Sequence, residues 1–128
     1  PSSLYSAERN SSNSNNWTGK IALMYPSDYG YAVGGSDRET CLSKSLYNWS
    51  SMPKCYNINY LYKANIYQWT LMTNNLTGSY VYAVKSNGGF NYGNAYSTDD
   101  ARPSLFLKSA IIINNGDGSR TNPYQLSF

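Results

Sequence analysis

Short apolar runs separated by stretches rich in Asn, Ser and Gly set the pattern of this chain. Residues 1–16, PSSLYSAERNSSNSNN, are polar and read as a flexible, exposed arm or linker. Order is expected from Trp17 onward. KIALMY (20–25) is apolar after its Lys and is bounded by Gly19 and Pro26, which fits a short strand buried on both faces. A glycine-punctuated turn region follows, with Tyr29, Gly30, Tyr31, Gly34 and Gly35. Ser36 and Glu39 have the S-x-x-E spacing of a capping box, so a helix of roughly ten residues is expected to start there. It would carry Cys41, set Leu42, Leu46 and Trp49 near one face, and end before Pro53. NINYLYK (57–63) alternates Ile58, Tyr60 and Tyr62 and fits a strand or a short helix equally well.

IYQWTLM (66–72) reads as a strand, and SYVYAVK (79–85), rich in Tyr and Val, is the strongest β signal in the chain. Asn87-Gly88 follows at once and predicts a type I′ hairpin turn, whose two central residues both need positive φ. The return strand would hold Phe90 and Tyr92. NAYSTDDARP (94–103) reads as a loop, SLFLKS and AIII as two short apolar strands, residues 115–118 as a second turn, and PYQLSF as a last short strand. One or two short helices and about seven strands, with no βαβ alternation and no repeat, describe an α+β domain. Its sheet is antiparallel-rich and its loops are long; a pure β-sandwich is the runner-up. The whole of 17–128 is expected to be one domain, as a total length of 128 residues suggests.

Composition narrows the chemistry. Only 13% of residues are charged, and polarity comes instead from 16 Asn, 19 Ser and 14 Tyr. There is no His, which removes the commonest general base, the Ser-His-Asp and Cys-His pairs and every His-based metal site. The 7 acidic residues are spread too thinly to favour paired-carboxylate catalysis. At 16%, aromatics are far too many for a disordered chain. No apolar run approaches the roughly 20 residues of a membrane span. Net charge is +3, but no two of the basic residues are adjacent, so the field is too weak and scattered for a nucleic-acid partner.

Cys41 and Cys55 lack the further ligands that a zinc site needs. In this composition the pair reads as a disulfide, with two buried free thiols as the other reading; a loop of that size gains on the order of 3 kcal/mol from closure. A disulfide implies an oxidising location, extracellular or at the cell surface. The sequence opens at Pro1 without Met, so either a signal or anchor segment has been removed or the sequence is trimmed. Sequons occur at Asn10, Asn16, Asn48 and Asn75 and matter only in a glycosylating pathway.

The stretch 79–100 is the candidate ligand-binding surface. Tyr offers a rigid amphipathic ring at low entropic cost, and Asn serves as donor or acceptor, as in sugar and protein recognition. Tyr80, Tyr82, Phe90, Tyr92 and Tyr96 are the aromatic candidates, and Asn87, Asn91 and Asn94 the amides. A Tyr-rich surface sheet without a ligand would have the same composition. Asp99 and Asp100 invite a calcium site, but an ion pair with Arg102 is the preferred reading; Pro103 would fix strand entry. Residues 115–118 are explained by turn chemistry, and no phosphate loop is present. Trp17, Trp49 and Trp69 are expected in the core. No metal, cofactor or catalytic residue is assigned, and the chain is expected not to be an enzyme.

Four segments carry a resemblance: WTGKIALMYPSDYGYA (17–32), the Cys41/Cys55 pair, QWTL (68–71), and ARPSLFLKS (101–109) followed by NNGDGSRTNPYQL. In these the chain resembles bacterial, prepilin-like cell-surface proteins of unassigned function. The order W-x-L, Y-V-x-x-V-x-x-x-G-G, polar loop, R-P-S-L-F-L is also similar to the C-type-lectin-like fold related to formylglycine-generating enzymes. That similarity implies a compact domain with a twisted antiparallel sheet and long loops. It carries over neither calcium-dependent sugar binding nor enzyme activity, because the lectin calcium motifs are missing and the Cys pair sits in the wrong part of the chain. Some proteins of this fold display diversified loops, and residues 87–100 have the residue types such diversification produces. The expected function is a non-enzymatic extracellular binding or adhesion module, whose ligand is a glycan or a protein. The alternative is the head domain of a pilin-like filament subunit packed against neighbouring subunits. Membrane contact would come only through a removed N-terminal anchor.

Overall fold

The computed structural model describes residues 1–9, 19–73, 79–105, 107, 109–117 and 121–127. Among these the chain is α+β: short helices precede an antiparallel-rich set of strands. The helices are α1 (Ser2–Glu8), α2 (Pro26–Tyr31), α3 (Arg38–Leu42), a 3-10 helix (Leu46–Ser51) and α4 (Pro53–Tyr56). The strands are β1 (Ala22–Leu23), β2 (Gln68–Thr73), β3 (Tyr80–Val84), β4 (Phe90–Asn94), β5 (Asp100–Ala101), β6 (Pro103–Ser104), β7 (Ile112–Asn115) and β8 (Gln125–Ser127). The main sheet runs β4-β3-β2-β5, antiparallel except for the β2–β5 pair. β1 with β6 and β7 with β8 form separate two-stranded ribbons.

There is more helix than expected, and proline is the reason. Pro26 and Pro53 do not merely end the elements before them. Each sits in the first turn of the helix it opens, where its missing N–H costs nothing and its φ is already helical. At α2 the Tyr25 N–H is further satisfied by Asp28 Oδ2 at 2.8 Å. KIALMY is therefore a strand only over Ala22–Leu23, half-buried, with Met24 in the core. The helix expected from Ser36 onward is broken in two. α3 ends at Leu42, where the Ser43 hydroxyl donates to the Thr40 carbonyl at 2.7 Å, and Ser45 is extended before the 3-10 helix starts. The two pieces still bury Cys41, Leu46 and Trp49 together. Residues 57–63 are neither strand nor helix: Asn59 makes one isolated bridge to Val33, and its Nδ2 donates to the Tyr29 carbonyl at 2.7 Å.

Cys41 and Cys55 are bonded, with Cα atoms 5.5 Å apart, so α3 is tied to α4. The core lies between these helices and one face of β3–β4: Met24, Tyr29, Val33, Leu46, Trp49, Val84 and Phe90 surround the disulfide. Residues 1–9, expected as the start of an exposed arm, are α1 and its cap, docked on α2. Buried Glu8 accepts a hydrogen bond from the Ser27 N–H at 2.8 Å and another from the Ser27 hydroxyl. Arg102 does not pair with Asp99 or Asp100. Its Nε donates to Gln68 Oε1 at 2.8 Å, which satisfies a buried amide between β2 and the chain leading into β6. Trp49 is in the core and Trp69 is half-buried; Trp17 and the sequons at Asn10, Asn16 and Asn75 lie outside the described residues. No helix among the described residues is long and apolar enough to cross a membrane.

Candidate functional site

The β3–β4 hairpin builds the site. Its register pairs Tyr82 with Tyr92, Tyr80 with Asn94 and Val84 with Phe90. Strand alternation then puts Tyr80, Tyr82, Val84, Phe90, Tyr92 and Asn94 on one face, and Val81, Ala83, Asn91 and Gly93 on the other. The first face is buried at the Val84/Phe90 end and open at the Tyr80/Asn94 end. Along it the rings form a row. Phe90 stacks on Tyr82 at 5.1 Å between centroids, Tyr82 meets Tyr92 edge-on at 6.3 Å, and Tyr92 meets Tyr80 edge-on at 5.3 Å. Such pairs add about 0.5–1.5 kcal/mol each beyond burial, so the row is rigid.

The turn of this hairpin is held from below. The Tyr29 hydroxyl donates to the Gly88 carbonyl and the Tyr62 hydroxyl to the Ser86 carbonyl, both at 2.9 Å. The turn itself is not the expected type I′. Gly88 has φ +74°, whereas Asn87 does not have positive φ. Gly88 N–H donates to the Lys85 carbonyl and Lys85 N–H to the Gly89 carbonyl, which is the three-residue loop with a glycine bulge. Asn87 Oδ1 accepts from the Gly89 N–H at 3.2 Å and so serves the turn.

Five of the eight expected contact residues share the face: Tyr80, Tyr82, Tyr92 and Asn94, with Phe90 at its buried end. Tyr92 is 48% exposed, and Tyr96, on the turn after β4, is 81% exposed. Asn94 Oδ1 accepts from the Tyr96 N–H at 3.1 Å, which fixes how the chain leaves the strand. Phe90, 2% exposed, belongs to the core rather than to a contact surface, because its cross-strand partner Val84 is buried with it. The remaining two are placed elsewhere. Asn91 lies on the opposite face, and Asn87 at the opposite end of the hairpin. Among the described residues the Nδ2 donors of Asn91 and Asn94 have no intramolecular partner, whereas each Oδ1 is engaged by a backbone N–H.

One member of the face was not legible in the sequence. Tyr47, from the 3-10 helix, meets Phe90 at 5.6 Å and Tyr82 at 6.4 Å, and is itself exposed. Burial of its hydroxyl and a hydrogen bond with Tyr82 push the Tyr47 phenol far above its ordinary range. It stays protonated at any physiological pH. No local signal marks it; only its place between buried Leu46 and Trp49 hints that it leans over the core's edge.

At Asp99 and Asp100, as elsewhere among the described residues, no group of three or more Cys, Asp or Glu side chains converges. Partial burial and the neighbouring Asp100 carboxylate raise the Asp99 pKa. The tyrosine face therefore offers stacking surface, phenol hydroxyls and an amide donor, with no charged side chain in the set.

The chain shows no significant match to any family model, curated protein or solved structure.

Proposed function

We propose that this chain is a non-enzymatic, extracellular binding module that takes a neutral glycan on the face formed by Tyr47, Tyr80, Tyr82, Tyr92, Asn94 and Tyr96. The observation that carries the reading is the aromatic row. It is anchored in the core at Phe90 and rises to half-exposed Tyr92 on a hairpin whose turn is pinned at two carbonyls. A surface so held loses little entropy on binding, and sugars stack on ring faces while hydroxyls and amides fix their orientation. The disulfide and the resemblance to bacterial surface proteins support the extracellular location, and the motif order supports a C-type-lectin-like fold.

The test is a glycan and protein array probed with wild type and with the Tyr92→Ala/Tyr96→Ala variant, with and without chelator. Both side chains are exposed, so far-UV circular dichroism should not change. Truncating two aromatic anchors should weaken glycan binding by well over tenfold. Equal binding by the variant, or signal confined to proteins, would overturn the glycan assignment.

A second reading, the head domain of a pilin-like subunit, is favoured by α1. Its docking through Glu8 and Ser27 makes the N-terminal segment a fixed mount for an upstream anchor rather than a loose tether. Upstream gene sequence encoding a prepilin cleavage site and about 20 apolar residues would decide for it.

A further inference from the structure

Asn-Gly occurs twice in this chain, at Asn87-Gly88 and Asn115-Gly116. The dipeptide has a chemistry of its own. The glycine backbone nitrogen can attack Cγ of the asparagine side chain, and a residue without a side chain leaves that approach open. The two copies are held very differently. At Asn87-Gly88 the reacting groups are engaged elsewhere. The Gly88 N–H donates to the Lys85 carbonyl at 2.9 Å, and Asn87 Oδ1 accepts from the Gly89 N–H at 3.2 Å. The Tyr29 hydroxyl holds the Gly88 carbonyl, and Gly88 is packed against the Tyr56 ring. Attack there requires the turn to open, and the strands that it joins are anchored in the core at Val84 and Phe90.

At Asn115-Gly116 the same groups face each other. The Gly116 N–H donates to Oδ1 of Asn115 itself at 2.8 Å, so the nucleophile already lies beside the amide that it has to reach. Among the described residues that N–H has no other partner. Asn115 is exposed at the end of β7, and its pairing with Gln125 follows a register shift. Gly116 has φ +91°, and a Cβ there would overlap the Pro123 carbonyl. The fold thus demands glycine at this place, and a bulkier neighbour cannot be used to slow the attack.

We propose that Asn115 is a site of spontaneous covalent modification, at which the Gly116 nitrogen closes a succinimide on the Asn115 side chain, while Asn87 stays intact. Hydroxide takes the Gly116 amide proton. The N–Cγ bond forms, the Cγ–Nδ2 bond breaks, and Nδ2 takes a proton from water and leaves as ammonia. Water then opens the ring at either carbonyl. One opening gives aspartate; the other gives isoaspartate, in which the main chain runs through Cβ and Cγ. Either product puts a carboxylate where a neutral amide stood and lowers the net charge of +3 by one. Isoaspartate also lengthens the main chain at the Asn115–Gln125 pair, which should loosen that end of the ribbon. The proposal is independent of the glycan reading, because it uses none of the tyrosine-face residues.

Incubating the folded whole chain at mildly alkaline pH, followed by tryptic digestion and mass spectrometry, tests it. Lys108 lies between the two asparagines, so trypsin puts them in separate peptides. Amide-to-acid conversion should run at least about tenfold faster at Asn115 than at Asn87, because Asn87 must wait for local opening of its turn. Fragmentation should assign the change to Asn115 and find both aspartate and isoaspartate there. Asn115→Gln, whose longer side chain has to close a larger ring, should remove the conversion from that peptide and leave the Asn87 rate as it was. In guanidinium with the disulfide reduced, the Asn115 and Asn87 rates of the wild type should converge, since the fold no longer sets them apart. An Asn115 that stays intact, equal rates in the folded protein, or faster conversion at Asn87 would each overturn the proposal. So would a difference that persists after unfolding, because it would then come from neighbouring sequence and not from the structure.

Discussion

A methyl group added at Gly88 would meet two obstacles at once. The backbone there has φ +74°, where an L side chain is strained, and the new carbon would overlap the Tyr56 ring. Gly88 also offers its carbonyl to the Tyr29 hydroxyl, so any backbone adjustment loses a buried hydrogen bond. Gly88→Ala should therefore lower unfolding free energy by roughly 2–4 kcal/mol. Gly93→Ala is the control. A methyl there would meet the Trp69 indole at an ordinary 3.4 Å, with no positive φ, and should cost less than about 1 kcal/mol. Urea unfolding compares the two: the midpoint should fall for Gly88→Ala with the slope unchanged. Equal midpoints for the two variants would mean that the turn does not hold the hairpin as described. Burial of the Tyr29 hydroxyl, with Tyr62 and Tyr56 close by, pushes its pKa far above the ordinary phenol range, so this donor is never lost to titration.

At the scale of elements, α1 is the one whose attachment depends on a titratable group. Burial raises the Glu8 pKa above its ordinary 4.5 and outweighs the two hydrogen bonds from Ser27; nearby Asp28 raises it further, and Arg9 at 3.7 Å only partly offsets this. A carboxyl raised on folding holds its proton more tightly in the fold than in the unfolded chain. Its contribution is thus most favourable below about pH 4.5 and declines as pH climbs through the raised value. Glu8→Gln keeps an acceptor for the Ser27 N–H and cannot ionise. Thermal unfolding between about pH 4 and pH 8 should show the wild type losing stability relative to Glu8→Gln as pH rises. Parallel profiles would sink the assignment. The comparison must be between the two proteins, because Asp99, also raised, gives a slope of the same sign. The docking of α1 illustrates what the sequence hides. Its contact joins residues 8 and 27, and a polar-looking segment gives no sign of which of its side chains is buried. The strands of the hairpin were legible because Tyr and Val fill a half-buried sheet and Asn-Gly marks its turn. The disulfide was legible from spacing and composition. The helix opening at Ser36 was misjudged because a capping-box spacing says nothing about Ser43, which diverts the chain two turns too early. Strand alternation gathers Tyr80, Tyr82, Tyr92 and Asn94 of the expected residues on one face, whereas Tyr47 reaches it only through tertiary packing.

For the whole molecule, stability should be graded, and the grading bears on the tyrosine face. The hairpin that carries the tyrosines shares its buried end with the disulfide-centred core, so it opens only when that core does. Among the described residues the β7–β8 ribbon shares nothing of the kind: Ile112–Asn115 are exposed throughout. Local opening free energies span from near zero at such elements to the global value in the core. Native-state hydrogen exchange in dilute protein should find the slowest amides at Leu71 and Gly34. These donate to the Met24 and Ile58 carbonyls and so join separate segments. Amides of β7 and β8 should exchange orders of magnitude faster under the same conditions. Ribbon amides as slow in dilute protein as those of β3 would place β7–β8 in the main cooperative unit, and the gradient would be refuted. The physical consequence of the gradient is that the tyrosine face sits on the rigid part of the molecule. The glycan would meet a surface already in its bound shape and lose little entropy in binding.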